Sequence, residues 1–565
     1  MRSPTLLQTA SASAIALALA LAPACRPAAA HESSREPRNE PSRGSGHELG
    51  RARPFKFAVV ADSQWGGAGD TNNPNTVAVG IIDQINRELI RLGVELVVQV
   101  GDLTDDGSEA ALRTRAGAAQ ALYDAGIGFF PLRGNHESSQ AAALAFQALF
   151  PQTRGAGQTS GAARFSSPSA ALAGLSYAFT YENARFVLLD QYTRADGSSA
   201  PGGDNIADQQ AWIDAALEAK PRNGHAFVFG HAPLIGQSHA DVLFGASPAA
   251  DPESQNAFFA SLSKSGVRYY FGGHDHLHNR AVVTSPDGAC AVQDIIAAST
   301  SYKFYVPMIP AHDVRSNGPP REIPLSQELR TLGFYVVAVD GPRVTADFYS
   351  APIGCGGDSY LTRTPALELT KRETFGYSLN GREFLVRQGE AYTAIEDRHS
   401  GTTARILGGV NTSSGMDAAG RPFAQWVTTG WAPRTSKTAS DILILRGMES
   451  GLGGPRSPTY AISLTYDHRD VPPHALKRGR FGLAAADADG NWIPAVHLNF
   501  GGASRFVHGA WNASFPLGTY GVDPSTRTVW AVVNHVADFA AVELKSERGP
   551  RAATAGDPEP PARGP

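Results

Sequence analysis

The pattern of apolar and polar positions becomes regular at residues 55–61 (FKFAVVA), which read as a strand. Over residues 76–92, Val77, Ile81, Ile82, Ile85, Leu89 and Leu92 recur at the spacing of an amphipathic helix. Residues 96–101 run almost wholly apolar around a single Gln, as a strand buried on both faces of a parallel sheet does. An Ala-rich helix over 108–123 and a strand over 127–132 (IGFFPL) follow. The chain thus opens β-α-β-α-β, which implies right-handed crossovers and helices covering a sheet. Residues 151–174 read as a long loop of small residues, and 176–181 with 184–190 as two paired strands. The alternation continues with a helix over 206–220, a strand over 225–229, a helix over 252–265 and a strand over 267–271. Strand-like runs at 281–284 and 292–298 and a hairpin of 334–340 with 343–349 close this part of the chain.

Beyond residue 349 the pattern changes. Residues 351–372 form a Gly/Pro/Thr-containing join, and from 373 to about 542 short β runs recur between turn signals without any helical period. That predicts an all-β, sandwich-like accessory domain over 373–545, ahead of a Pro/Gly/Ala/Arg tail over 546–565. The 565-residue length requires more than one core in any case. A formal charge of −4 argues against a nucleic-acid surface, so a nucleotide enters only as a substrate. The sequence sets no oligomeric state.

The first thirty residues have the form of an export signal. Arg2 supplies the positive start, residues 14–22 (AIALALALA) an apolar stretch too short to span a bilayer, and Ala28-Ala29-Ala30 a small-x-small cleavage site. The expectation is an exported protein, periplasmic or secreted, with a polar linker over 31–53. The alternative is a lipoprotein anchored through Cys25, ranked second because Ala22 stands where a bulky aliphatic is usual. No other stretch reaches the length of a transmembrane segment. The remaining cysteines, Cys290 and Cys355, are either a disulfide or two small unpaired residues.

Chemistry enters where the strands stop. Asp62, Asp102, Asn135, His231 and the His274/His276 pair each follow an apolar β run, so each projects from the same end of the sheets, where open α/β folds bind ligands. Carboxylates, imidazoles and an amide at one edge form the ligand set of a borderline-hard divalent metal. Six such groups exceed the needs of one ion, which points to two ions sharing an aspartate.

The motifs DSQ, GDLTD, GNHE, GHAP and GGHDH in this order resemble those of the calcineurin-like metallophosphoesterase superfamily, over about residues 55–349. The resemblance implies a four-layer αββα sandwich within residues 54–350, followed by the β domain. It implies two divalent metal ions, Mn, Fe, Zn or Mg, and a phosphate ester substrate, mono- or diester, hydrolysed by attack of a metal-bound hydroxide. Asp102 would bridge the ions, Asp62 and His276 would complete one site, and Asn135, His231 and His274 the other. His136 would lie near the leaving group as the catalytic residue, either proton donor or charge stabiliser. Gln64 stands where the family usually has His and offers at best an amide oxygen as a metal ligand. Purple acid phosphatases carry a Tyr at the position of Asp105, so a tyrosinate-iron centre is not implied, and GDLTDDG looks more like the diesterase branches.

Around these motifs, Glu137 is assigned either to orienting His136 or to capping the following helix, and Arg133 either to facing phosphate or, ranked first, to an ion pair at a strand end. His239 and His278 are left out of the site as surface or supporting residues. The accessory-domain histidines His468, His474, His497, His508 and His535 lack ligand spacing. Specificity is expected from loops 66–75, 151–174, 193–205 and 307–321. A second function stands beside the enzyme: a cell-surface or extracellular binding protein built on the β domain, its phosphoesterase half weakened at Gln64. The intact Asp102, Asn135, His136, His231, His274 and His276 favour the enzyme.

Overall fold

The structure is a computed structural model that describes residues 53–66, 70–200, 202–203, 205–315, 320–353, 360–392, 395–449, 457–471, 473–477 and 479–544. The export segment with Cys25, nearly all of the 31–53 linker, Cys355 and the tail at 546–565 lie outside the described residues.

Strands β1 (Phe55–Val60), β2 (Leu96–Val100) and β3 (Gly128–Leu132) pair in parallel, and all five residues of β2 and of β3 are buried. Helices α1 (Val79–Leu92), α2 (Glu109–Ala118), α3 (Gln120–Asp124) and α4 (Gln140–Leu149) belong to the crossovers and the segment after β3. The helix expected over 108–123 is therefore two helices, which meet at Ala119. The expected loop at 151–174 contains a 3-10 turn at Pro151–Arg154 and β4 (Ala163–Ser166), which pairs with β5 (Tyr177–Tyr181).

β5 pairs antiparallel with β6 (Ala184–Leu188), and β7 (His225–Phe229) and β8 (Tyr269–Gly272) continue the second sheet in parallel. Helix α5 (Gln210–Glu218) precedes β7 and α6 (Pro252–Ser265) precedes β8. β9 (His278–Thr284) and β10 (Ala291–Ala297) extend the sheet, and β11 (Glu322–Glu328), not anticipated from the pattern, forms its edge. The chain then returns to the first sheet through the hairpin of β12 (Thr331–Asp340) and β13 (Arg343–Pro352). β14 (Thr370–Ser378) pairs with β13, so the first sheet runs past residue 372, the join read from the sequence.

The spatial orders are β14-β13-β12-β1-β2-β3 and β11-β9-β10-β8-β7-β6-β5-β4. Between the sheets lies an aromatic layer in which Phe57, Phe130, Phe179, Phe186, Phe227, Phe229 and Phe271 are all fully buried. The outer face of the first sheet packs on α1, α2 and α4 through Ile81, Leu89, Leu112 and Phe146. That of the second packs on α5 and α6 through Ile213, Leu217, Phe258 and Leu262. Helix, sheet, sheet, helix is the four-layer αββα arrangement. Burying both faces of each sheet explains why the parallel strands read as continuous apolar runs.

Residues 383–543 form two further six-stranded sheets. These enclose a separate core that includes Trp431, Leu443, Ile462, Leu483, Val529 and Phe539. The C-terminal region is thus a β-sandwich packed beside β11 and β14. Val282, Leu325 and Ala424 share one small apolar cluster, and Thr428 Oγ1 donates to the Gly376 carbonyl (2.8 Å). Among the described residues no helix is long and apolar enough to cross a membrane.

Candidate metal centre

Four of the predicted ligands occupy backbone conformations that L-residues avoid. Asp62 has φ 48°, Asp102 φ 45°, His274 φ 73° and His276 φ 49°. Each left-handed residue costs about 1–2 kcal/mol, and such strain gathers where surrounding structure over-determines it. Here it turns each side chain sharply inward just past its strand. Room for this turn comes from glycines: a Cβ on Gly134 would collide with the Asp102 carboxylate, and one on Gly101 with the His231 ring.

Two groups of ligand atoms result, each with its members within 4.8 Å of one another. One joins Asp62, Asp102 and His276; the other joins Asp102, His231 and His274; all are buried. Asp102 is common to both. In the second group Asn135 Oδ1 lies 2.9 Å from His231 Nε2 and 3.1 Å from His274 Nδ1, placing the amide oxygen among the other donors.

Each imidazole is held by its other nitrogen. His231 Nδ1 lies 3.0 Å from the Val100 carbonyl and His276 Nδ1 3.2 Å from that of Lys303, so both present Nε2 to the centre. His274 Nε2 lies 3.1 Å from Asp241 Oδ2, leaving Nδ1 facing inward. A metal-binding His anchored in this way, by carbonyl or carboxylate, has its ring orientation and tautomer set in advance.

Gln64 also reaches the first group. Its Nε2 donates to Asp102 Oδ2 (2.6 Å) and sits 3.3 Å from His276 Nε2, while Oε1 is buried without a hydrogen-bond partner. Rotating the amide would exchange the two ends and turn the oxygen toward the same neighbours, which is the orientation a cation requires. The donor set, with its orphaned amide oxygen, fits a pair of divalent ions.

The electrostatics suit two of the three imidazoles, His231 and His276. Burial, with the charge of Asp102 next, holds Asp62 well above the usual carboxylate range. Burial would raise Asp102 too, but the surrounding imidazoles, His231 foremost, hold it below its ordinary value. Burial lowers His231 to about 4 and His276 to about 3, against the opposing pull of Asp102, so both rings are neutral near pH 7, as ligands must be. His274 is also buried, yet its bond to Asp241 outweighs burial and raises it to about 9.

His136 Nδ1 lies 2.5 Å from the Asp105 carbonyl, and its Nε2 is 3.8 Å from Asp102 Oδ2. This ring is the exposed member of the group, at 22% against 0–6% for the other histidines of the centre. Glu137 takes neither of its two expected roles. Its buried carboxylate accepts from Thr104 N (2.9 Å), Thr104 Oγ1 (2.8 Å) and Gly134 N (3.1 Å), tying the two strand-end loops together, while Ser139 caps α4. Burial, then Asp102, raises Glu137 to about 7. Arg133 is fully buried in an ion pair with Asp190 (2.7 Å).

Three residues complete the surroundings without having been singled out as part of the site. Asp241 anchors His274, and Asp275 anchors His239 through both its backbone N (2.9 Å) and Nδ1 (2.8 Å). Tyr305 lies against the rings of His276 and His239 at 4.9 and 4.8 Å. His239 packs against His274, ring centroids 4.3 Å apart and tilted by 38°, and so belongs to the supporting layer. His278 is instead buried between the sheets, stacked on Phe348 and bonded to Tyr335. Only the repeated Asp and His in GGHDH and in residues 237–241 signalled this layer, and its pairing depends on folding. Among the described residues no third group of potential ligands exists, and the accessory-domain histidines form none.

Residues 55–278 match the profile of the calcineurin-like phosphoesterase family. A calcineurin-like phosphoesterase domain is therefore present, and its matched span contains every ligand described above. No curated protein matches the chain. Among solved structures, it is similar to a dimetal phosphatase from Danio rerio, at 18% identity and TM-score 0.33, over 52% of this chain and 95% of that one. A purple acid phosphatase from yellow lupin (Lupinus luteus) seeds is similar at 13% identity and TM-score 0.36, over 58% of this chain and 54% of that one. The anchor protein GAP50 of the inner membrane complex of Plasmodium follows at 14% identity and TM-score 0.32, covering 55% and 91%. Likeness at this level carries no functional argument.

Proposed function

We propose that this chain is an exported phosphoesterase that hydrolyses phosphate mono- or diesters at a two-metal centre. The observation that carries the reading is the shared Asp102 between two buried ligand groups whose imidazoles are all pre-oriented by their outer nitrogens. Asp62, Gln64, Asp102 and His276 would hold one ion, and Asp102, Asn135, His231 and His274 the other. Such ions supply charge neutralisation at the phosphoryl oxygens and water ionisable near neutral pH.

The chain's own residues do the rest. His136, fixed through Nδ1, presents Nε2 at the open side of the centre, where it can hand a proton to the departing oxygen. Lys303, bound to Asp105 (2.8 Å), sets a cation beside the loop whose Asp105 carbonyl holds His136. Tyr305 packs against the ring of His276 (4.9 Å). Export is supported by the apolar stretch at 14–22 and the Ala28–Ala30 site. The competing reading, a weakened binding protein, draws its support from the amide nitrogen of Gln64, which faces the carboxylate of Asp102.

The test is hydrolysis of nitrophenyl phosphate mono- and diesters by the mature protein, after chelation and after adding back Mn²⁺, Zn²⁺, Fe²⁺ or Mg²⁺. Turnover restored by metal and absent from Asp102→Asn is the expected result. A folded protein that stays silent with every metal would favour the binding reading.

A further inference from the structure

We propose that Arg421, supplied by the C-terminal β domain, is a positioning residue for the metal centre. It acts through Glu322, Gln237 and Asp275, and the inference rests on the two-metal reading above.

The guanidinium of Arg421 meets three buried carboxylates: Asp417 (2.6 Å), Glu322 (2.7 Å) and Asp313 (3.6 Å). Asp417 belongs to the same loop as Arg421, but Asp313 and Glu322 belong to the phosphoesterase domain. Glu322 opens β11, and its second oxygen accepts from Gln237 Nε2 (2.8 Å) and Asn279 Nδ2 (3.1 Å). Gln237 lies on the loop that follows His231. Its backbone N–H donates to Asp275 Oδ2 (2.5 Å), and its carbonyl accepts from Met308 N (2.8 Å). Asp275 sits between His274 and His276, and its other oxygen holds His239, whose ring packs against that of His274. A continuous series of polar contacts, half-buried at Arg421 and buried from Glu322 inward, therefore runs from the accessory sandwich to the turn bearing two metal ligands in strained conformations.

The series depends on Arg421 electrostatically. Three carboxylates share this one cation, which offsets only one of their charges, and removing it leaves still more uncompensated charge that the structure must relieve. Relief requires Glu322 to move or to take up a proton. Either change disturbs the acceptor for Gln237, and with it the loop that orders Asp275. A lysine keeps the charge but not the fork that reaches Asp417 and Glu322 together. The accessory domain is on this account a working part of the site and not only a support.

The experiment is Mn²⁺ titration of the full mature chain by calorimetry, with unfolding midpoints recorded in parallel. Arg421→Ala is expected to weaken Mn²⁺ binding about three- to ten-fold, less than the 10–100-fold typical of residues that touch a ligand directly. Arg421→Lys should recover part of the loss. Gln237→Ala cuts the series at its centre without removing a charge, and should weaken binding to a similar degree in a protein of nearly unchanged stability. Thr428→Val loosens a different interdomain contact, the bond to Gly376, and should leave Mn²⁺ affinity unaltered. The inference is overturned if Arg421→Ala and Gln237→Ala bind Mn²⁺ like the wild type, or if Thr428→Val weakens binding equally. A wild-type chain that takes up no metal would instead overturn the two-metal reading and this inference with it.

Discussion

Both the phosphoesterase domain and the C-terminal sandwich bury their cores between two stacked sheets, but they use the ends of their strands differently. In the first domain the central strands are parallel, so their carboxyl ends all reach one edge, and helices return the chain behind them. Asp62, Asp102, His274 and His276 stand at that edge in left-handed conformations. The C-terminal sheets are mostly antiparallel, so successive strands end on opposite edges and, among the described residues, no set of potential ligands gathers there. Left-handed non-glycine residues occur there too, at Ser400 and Arg527, but each only reverses the chain between two adjacent strands. Strain marks a site when it aims several chelating side chains at one point. At a hairpin tip it marks a turn.

The comparison is broken most directly at Asp102. Its replacement by Asn removes the charge both ligand groups share, and kcat for a nitrophenyl ester should fall by about 10³-fold or more. Next comes His136→Ala, expected to cost about 10²–10⁴-fold in kcat as a lost proton donor. Its metal content should be unchanged, which separates it from the ligand variants. Asp241→Asn should weaken metal binding by about 10–100-fold through His274, measurable by Mn²⁺ titration. In the C-terminal sandwich, replacing His468, His474 and His508 together by Ala should leave metal content and turnover as in the wild type. A drop in either would show that the sandwich carries chemistry of its own.

The smallest effect concerns stability. His225, bonded to the Tyr377 hydroxyl and the Gly341 carbonyl, is lowered by burial from 6.5 to about 4. A buried imidazole that resists protonation contributes stability that is fully present above 6.5 and is lost as pH falls toward 4. The shift corresponds to at most about 3 kcal/mol. Urea midpoints recorded between pH 7 and 4 should fall accordingly, and His225→Gln should flatten that part of the curve.

Much of this was legible because burial leaves a strong mark on sequence. The runs at 55–61, 96–101 and 225–229 are apolar on both faces and stop abruptly at polar residues, so strand, edge and ligand could be read together. β11 was not legible: EIPLSQE contains a proline and four polar residues because it is an edge strand, buried in part by the C-terminal loop that carries Arg421. β14 misled for the same reason. Its polar start, TKRE, belongs to a sheet edge, and that edge is the boundary with the sandwich. Asp241 and Asp275 were visible only as repeated acids beside histidines, since their partners are fixed by the turn after His231 and not by spacing. Gln64 was visible as a departure from the motif, but its geometry was not.

The central claim is that two ions share Asp102, and counting them tests it most directly. Mature protein loaded with Mn²⁺ and freed of excess metal would be analysed by elemental mass spectrometry, beside Asp102→Asn. The account predicts two ions per wild-type chain and loss of both in the variant. A single ion in the wild type, or two ions retained without Asp102, would contradict it.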